Sequence, residues 1–598
     1  MKNCYLFFFL VLISTLPFIN CSPNKDQKSL NTSLPPIEDQ AIPVEDGGEI
    51  DPIASDQAVR GGVFNTWGGG YPKSINQWLD YNQFSSQLSS LMFEPLIGMH
   101  STENRPVGVL ASSWEISEDK TTYTFKIHAE AKWSDGTDIT AQDIQFYYDI
   151  IMDPKHLTSL FRVSLSKLDR PEILDKKTLR VRANEVHWRN FWTAGGLTAF
   201  PKHAWKDLDF NSIHFEFPVV SGPYQIHEVK TNRSISLKRR GDWWGRTLKF
   251  NQHKYNFDYL VFKSLEDRTK ALEVLKKGDF DLYPIYTARI WERQTNFPQV
   301  QKNWVVRQTI YNQEPKSFQG FAINLRKKKF QDKQVRLALG HLLNRELMLE
   351  KLMFGQYFLL NNYFPDLYPN NTNPNHPLIQ YSPEKARKLL GQAGWKINDQ
   401  GLLEKDGEIF SLKFLYHGTP LPHLTIFLED LKKVGLQAEL DVVSLASFRK
   451  RMDNHEFDLA WTNWSASRLR DPESMWHSKT ADDIATQNIP GIENEEIDQL
   501  IEKQKSIMDI DQRNEIIKEI DLELIDTIPY ILLWQSDRHK LLYWNRFGTP
   551  KTILDKFNRE DSALVYWWFD QDKADALLKA QQSNSALPAV ASEIHYSH

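Results

Sequence analysis

The sequence predicts a large mixed α/β protein of two or three domains, and three observations carry the prediction. At 598 residues the chain is well beyond the length at which a single hydrophobic core stops growing. Its residues are 41% apolar, enough to fill more than one core. Along most of its length, strand-like alternation and capped amphipathic helix patterns follow one another, the order that stacks helices on sheets.

Each element has its own signal. VFNTW at Val63 to Trp67 reads as the first strand, and Tyr123 to His128 (YTFKIH) as another by its period of two. A helix begins at Thr140, whose hydroxyl can cap. Asp143 stands three residues on, and Ile144, Tyr147, Tyr148 and Ile151 share one face. Tyr259 to Phe262 is a short apolar strand. Asp267 to Lys277 is helical, with Ala271, Leu272, Val274 and Leu275 inward and Gly278 as its stop. Ser382 caps a helix with Pro383 in its first turn, Ala386, Leu389 and Leu390 inward, and Gly394 as terminator. A further helix runs through Leu428, Leu431 and Val434 to Gly435, and LQAELDVV after it is strand-like. No internal repeat interrupts this order.

Charge and the N-terminus bound the function. With 72 basic against 77 acidic residues, nothing predicts the concentrated basic face of a nucleic-acid binder. Lys2 followed by the apolar run Tyr5 to Ile13 is too short to span a bilayer but suits the core of a signal peptide over residues 1–20. Cys21 after Phe18-Ile19-Asn20 resembles the acylated cysteine of a lipoprotein signal; the alternative is a secretory signal cut elsewhere, with Cys21 incidental. Cys4 is the only other cysteine, so the processed chain has no pair for a disulfide and must be held by its core. Residues 21–59 are polar, Pro-containing and without apolar periodicity. They are expected to be a disordered tether behind the lipid, and residues 576–598 a loose tail.

The segment Leu110 to Ile151, LASSWEISEDKTTYTFKIHAEAKWSDGTDITAQDIQFYYDII, resembles the signature block of the family 5 extracellular solute-binding proteins, the oligopeptide and dipeptide receptors of ABC importers. Within it Ser134-Asp135-Gly136-Thr137 is a tight turn, where Gly136 can take positive φ and Asp135 can bond the backbone. Further blocks follow in the family's order: SGPYQI at Ser221, RRGDWWG at Arg239, LKKGDFDLYP with Asp279 and Asp281, and FAINLRKKKFQDKQVRLALGHLLNRE with Asn324. YSPEKARKLLGQAGW and FDLAWTNW come later, and the likeness covers residues 61 to 560. GIENEEIDQLIEKQ with IPYILLWQSDRHKLLYWNRFG is similar to a branch associated with microcin C-type peptide-nucleotides and murein peptides.

The resemblance implies a two-lobed periplasmic-binding-protein fold (type II, Venus-flytrap) with an extra inserted domain. Lobe I would take residues 60–92, 195–289 and 516–575, the inserted domain 93–194, and lobe III 290–515. It implies an extracytoplasmic lipoprotein, periplasmic or at the cell surface and held to a bacterial membrane by its N-terminal lipid. The protein would be a monomer that closes on a peptide or peptide conjugate and delivers it to ABC permease subunits, without cofactor, metal or catalysis. Receptors of this type bind an extended backbone by strand-like hydrogen bonds.

The candidate ligand-binding residues are Trp67, Tyr71, Tyr311, Asn324, Trp461, Trp464, Arg468 and Asp471. Trp67 and Tyr71 flank Gly68-Gly69-Gly70, where a ligand backbone can approach closely, or which is a flexible surface turn. Tyr311 and Asn324 lie beside the chain crossing into lobe III; Asn324 either bonds the ligand or anchors the crossover. Relatives that take free peptides pair the ligand's α-amino group with an aspartate near the position of Ser467 or Arg468, and no acid stands there. Either Asp471 takes that role, or a free amine is not required and Arg468 and Arg470 meet a carboxylate or phosphate. On that second reading Arg468→Ala weakens an anionic ligand far more than a neutral tripeptide.

Enzyme signals are missing: there is no GxSxG, HExxH, Walker A or Cys/His metal pattern. Asp279 and Asp281 read as turn residues, and His341 and His423 as core or surface residues. The alternatives within the fold are a receptor for a metal chelate, haem or sugar oligomer, or a ligand sensor without transport. A cell-wall peptide hydrolase has no nucleophile to support it.

Overall fold

The computed structural model describes residues 34–40, 48–217, 219–419 and 421–596. Contacts divide the chain into Met1–Pro36, of which residues 34–36 are described and form no helix or strand, and Ile37–His598, which all that follows concerns. The signal segment and Cys21 lie outside the described residues. Among the described residues no helix is long and apolar enough to cross a membrane.

Two sheets organise the second unit. The first has eight strands in the order Glu593–His595, Val305–Tyr311, His539–Trp544, Leu282–Pro284, Val63–Trp67, Tyr259–Lys263, Ser234–Arg239, Tyr224–Lys230. Its centre is parallel, Val63–Trp67 running beside Tyr259–Lys263 and touching Leu282–Pro284, and antiparallel pairs flank it. The second has five strands: Gln437–Val443, Ser411–His417, Leu459–Asn463, Gln319–Ile323 and Tyr530–Leu532. Its two faces separate by alternation. Phe321 and Ile323 turn to the helices Lys333–His341, Pro383–Gln392 and Pro422–Lys432, while Ala322 turns to Ile497, Ile517 and Ile520.

The local signals become the elements they predict. Tyr123, Phe125 and Ile127 are the buried residues of strand Thr122–Ile127. Helix Ala141–Met152 buries Ile144, Tyr147, Tyr148 and Ile151, and Asp143 accepts the Thr140 backbone N–H at 2.8 Å and its hydroxyl at 2.9 Å. Asp267 caps Arg268–Lys276 and Ser382 caps Pro383–Gln392. The stops Gly278, Gly394 and Gly435 all take positive φ, as does Gly136, beside which Asp135 accepts the Thr137 N–H at 3.0 Å.

Residues 93–194 hold a four-stranded sheet, Ala111–Ile116, Thr122–Ile127, Thr178–Arg182 and Glu172–Ile173. This insert has no separate core: Tyr123, Phe125 and Ile144 pack in one cluster with Phe64, Leu237 and Leu260 of the eight-stranded sheet. The blocks SGPY and RRGDWWG clamp the joint. Arg240 Nη1 donates to the carbonyls of Val220, Ser221 and Gly222 at 3.0–3.2 Å, and the two indoles of Trp243 and Trp244 donate to Glu94 at 3.2 and 3.1 Å. Gly222 is required there, since a Cβ would fall 2.6 Å from the Leu91 carbonyl oxygen.

Several expected boundaries move. Val305–Tyr311 belongs to the first sheet, and helix Ile510–Thr527 with strand Tyr530–Leu532 to the second, so the chain crosses at residues 312–317 and 536–538 rather than at 290 and 515. The expected loose tail is ordered: helix Gln571–Gln582 buries Leu577 and Ala580, and Glu593–His595 adds a parallel strand to Val305–Tyr311. An exposed sheet edge supplies backbone partners whatever the side chains, so low apolar content misleads there. The expected tether is also shorter, because Gln40 N–H donates to Gly241 O at 3.0 Å and Asp51 and Ile53 are buried.

Candidate functional site

The two crossings run side by side between the sheets, and a cavity of about 340 Å³ opens on them. Its walls come from both sheets: Ile285 and Tyr286 beyond strand Leu282–Pro284, and Asn463 to Ala466 where strand Leu459–Asn463 ends. Glu314 to Ser317 of the first crossing, Arg538 of the second, and His539 and Lys540 at the start of strand His539–Trp544 line it as well. A groove of about 590 Å³ adjoins it, sharing Pro284, Tyr286 and Glu560, and contains Trp67, Gly68 to Gly70 and Tyr71.

The lobes are closed on each other at both sides of the crossings. On one side the Tyr357 hydroxyl donates to the Tyr286 carbonyl at 3.1 Å, and Gln356 bonds Glu292 and Lys540. On the other, the Trp188 indole of the insert donates to Gln504 at 2.6 Å, Asn104 to Asp511 at 2.9 Å, and Arg468 Nη1 to the carbonyls of His100 and Glu103 at 3.0 and 3.1 Å.

Charge inside the cavity is concentrated. Glu314 serves Lys316 at 3.4 Å, His539 at 3.4 Å and Arg559. Burial pushes the His539 ring down to about 4, so at neutral pH it is an uncharged hydrogen-bonding group, in contact with Asn312 Oδ1 at 2.9 Å. Glu560 accepts the Tyr286 hydroxyl. Glu560 is half-buried between the cavity and the groove, and that burial, with Asp561 beside it, pushes its carboxyl up to about 7.

The structure divides the sequence candidates. Trp67 sits at the mouth of the groove, its indole N–H on Leu265 O at 2.6 Å and its ring edge-on to Tyr283 at 5.5 Å. Tyr71 stacks on Phe215 at 5.5 Å in the same groove. Trp464 lines the cavity. The other five lie elsewhere. Trp461 packs against the core of the second sheet. Tyr311 is stacked under His595 at 4.3 Å. Asn324 is 1% exposed and spends its amide on the carbonyls of His455 and Phe457, both at 2.9 Å, so it ties one lobe together internally. Arg468 is turned to the insert, with its guanidinium 4.1 Å from the Phe557 ring centroid, and Arg470 to Asp366 and Asn514. Asp471 pairs with Arg189 of the insert.

His187, Asp471 and Glu473 converge at that same seam as a metal site would. The His187 Nδ1, however, accepts the Arg189 backbone N–H at 3.1 Å, which puts the ring proton on Nε2, 3.6 Å from Asp471 and 3.8 Å from Glu473. A ligating histidine normally donates from its second nitrogen, so this arrangement is a polar seam built on the Arg189–Asp471 ion pair. Asp281 is more than a turn residue: it is buried and accepts from Asn65 N–H at 2.6 Å and Arg546 Nε at 3.0 Å. His423 is buried beside Trp534 and pushed down to about 4 by burial, and His341 Nδ1 lies 2.6 Å from Gln380 O.

Sequence reasoning missed Glu314, Lys316, Arg538 to Lys540 and Glu560. One signal was available, since SDRHK at Ser536 to Lys540 interrupts two apolar strand-forming runs, YILLW and LLYW.

Comparison with known proteins agrees with this architecture. The family described as bacterial extracellular solute-binding proteins, family 5 Middle, matches residues 105–486. The oligopeptide-binding protein AppA of Bacillus subtilis (strain 168) is 25% identical over 524 residues, covering 83% of this chain and 90% of its own. The structure of AppA with a nonapeptide superposes with a TM-score of 0.64 at 23% identity, over 86% of this chain and 100% of that one. YejA of Escherichia coli (strain K12) is 24% identical over 513 residues, 79% of this chain and 83% of its own. The ABC transporter-associated periplasmic binding protein DppA of Helicobacter pylori, solved with the peptide STSA, gives a TM-score of 0.66 at 20% identity, over 86% of this chain and 99% of that one. These neighbours share the two-lobed α/β type II fold. With well over half its length matched, the chain belongs to the bacterial extracellular solute-binding proteins of family 5.

Proposed function

We propose that this protein captures a peptide or peptide conjugate outside the cytoplasm, closes on it, and presents the closed form to the permease of an ABC importer. The observation that carries the peptide reading is backbone left unpaired inside the cleft. The ladder of strand Leu459–Asn463 ends at Asn463, and among the described residues neither Ser465 nor Ala466 N–H finds a protein acceptor, although both line the cavity. Both residues are exposed, so their N–H groups face solvent, and an extended ligand backbone can take them up in register. AppA and DppA, each solved with a peptide, support the same reading. The N-terminal pattern ending in Cys21 supports attachment to the membrane by a lipid.

Thermal melting against randomised tetra- and nonapeptides, free amino acids and a nickel–histidine chelate tests the proposal. A ligand at about a hundred times its Kd adds about 2.7 kcal/mol, so peptides are expected to raise Tm. Stabilisation by the chelate alone would replace the peptide reading with a chelate receptor.

The placement of Arg468 supports a different expectation from the one its sequence context offers. Its bonds go to the backbone carbonyls of His100 and Glu103 and join the lobes, so they contribute to closure for every ligand alike. Arg468→Ala is expected to weaken all bound peptides by one common factor, roughly five- to thirtyfold for hydrogen bonds to a partly solvated charge. Calorimetry with acidic and neutral peptides reads it; a loss confined to acidic peptides would return Arg468 to the ligand.

A further inference from the structure

Lys540 is a buried cation that forms no ion pair among the described residues, Glu292 and Asp537 acting on it only through space. It is 5% exposed and lies on the cavity wall at the start of strand His539–Trp544. Its Nζ meets the amide oxygen of Gln356 and stands 5.3 Å from the Tyr357 ring centroid, and among the described residues no carboxylate pairs with it. Glu292 is held off by the same amide, since Gln356 gives its own N–H to that carboxylate. The other charges of the cavity are committed. Lys316 and Arg559 share Glu314, Arg538 is bound by Asp537 at 2.6 Å, and Glu560 holds the Tyr286 hydroxyl. The lining carries four cations, Lys316, Arg538, Lys540 and Arg559, against the two carboxylates Glu314 and Glu560.

A buried charge without a counter-charge is costly, and such groups are ordinarily paired. Burial, with the charge of Arg538 close by, outweighs the through-space pull of Glu292 and Asp537 and pushes the Lys540 ammonium down to about 8, the direction that an anion placed on it reverses. Arg468 and Arg470, the cations that the sequence offered for such a group, are turned away. We propose that Lys540 is the specificity residue of the cleft and receives an anionic group of the ligand, a carboxylate or a phosphate, which completes an ion pair left open by the fold. The proposal rests on the peptide reading given above and adds the charge that the ligand must carry.

The test is a randomised tetrapeptide library in three forms: free acids, C-terminal amides, and amides bearing one phosphoserine. Binding is measured by calorimetry to the full chain, to Lys540→Met and to Lys540→Arg. The wild type is expected to bind the acids or the phosphorylated amides about ten- to a hundredfold tighter than the plain amides, the worth of a hydrogen bond to a charged group. Preference for the acids assigns the anion to a peptide C-terminus, and preference for the phosphorylated amides to a conjugate. Lys540→Met should abolish the preference, any loss of closure from the missing Gln356 bond falling on all three forms alike, and Lys540→Arg should keep the preference. Equal binding of all three forms by the wild type, or an undiminished preference in Lys540→Met, overturns the assignment and leaves the peptide reading standing. If Lys540→Met does not fold, the wild-type comparison decides alone. Failure of every form to bind overturns both.

Discussion

Folding stability is expected to fall as pH rises from 4.5 to 8, and Glu94→Gln to remove several kcal/mol of that fall. Glu94 is buried at the joint between the insert and the first sheet, where its two oxygens accept the indoles of Trp243 and Trp244. Burial pushes its carboxyl from the ordinary 4.5 up to about 8, against those two hydrogen bonds and the nearby charge of Arg240. The folded pKa is therefore raised. Between pH 4.5 and pH 8 the native state keeps a proton that the unfolded chain has released, so the stabilisation is complete below 4.5 and is lost as pH climbs through 8. At about 1.4 kcal/mol per pH unit, the window corresponds to roughly 4–5 kcal/mol. Urea unfolding at pH 5 and pH 8 measures it. Gln at this position loses one indole acceptor and lowers stability at every pH, so the informative quantity is the slope. A slope unchanged from wild type would show that Glu94 is ionised in the native state.

The next largest effect is expected at Asp51, in a stretch that the sequence presents as part of a tether. Its carboxylate pairs with Lys254 at 3.1 Å and accepts the Tyr566 hydroxyl at 2.8 Å, the Ser101 hydroxyl at 2.7 Å and the Ile53 N–H at 3.0 Å. Both partners are buried, and both pKa values are lowered. For Asp51 the Lys254 charge and these donors outweigh burial; for Lys254, with one carboxylate and the Phe250 ring at 4.2 Å, burial wins. Asp51→Ala leaves that ammonium buried and alone, a loss of about 3–5 kcal/mol. Asp51→Ala with Lys254→Met should recover most of it, because the second change removes the orphaned charge. If the double variant is no more stable than Asp51→Ala, the loss belongs to packing of the segment and not to the pair.

Arg468 and Asp471 show how far sequence proximity reaches. Trp461, Trp464, Arg468, Arg470 and Asp471 fall within eleven positions and read as one cluster. In the fold they face four different ways: Trp461 into a core, Trp464 into the cleft, Arg470 toward Asp366, and Arg468 and Asp471 onto the insert. A loop has no period, so nothing in its order states where each side chain points. Glu314, Lys540 and Glu560 are the reverse case, far apart along the chain and on one cavity wall.

From residue order alone came the strand at Thr122–Ile127, the capped helix after Thr140, the glycine stops and the family blocks, because alternation, capping and positive φ act over a few neighbours. Tertiary structure alone decided where the chain crosses between sheets, that the C-terminal residues close a sheet edge, that Asp51 is locked to Lys254, and which charges face the cavity. Those outcomes depend on pairings between residues hundreds of positions apart. Their energy comes from burial and from partners that exist only once the sheets have assembled.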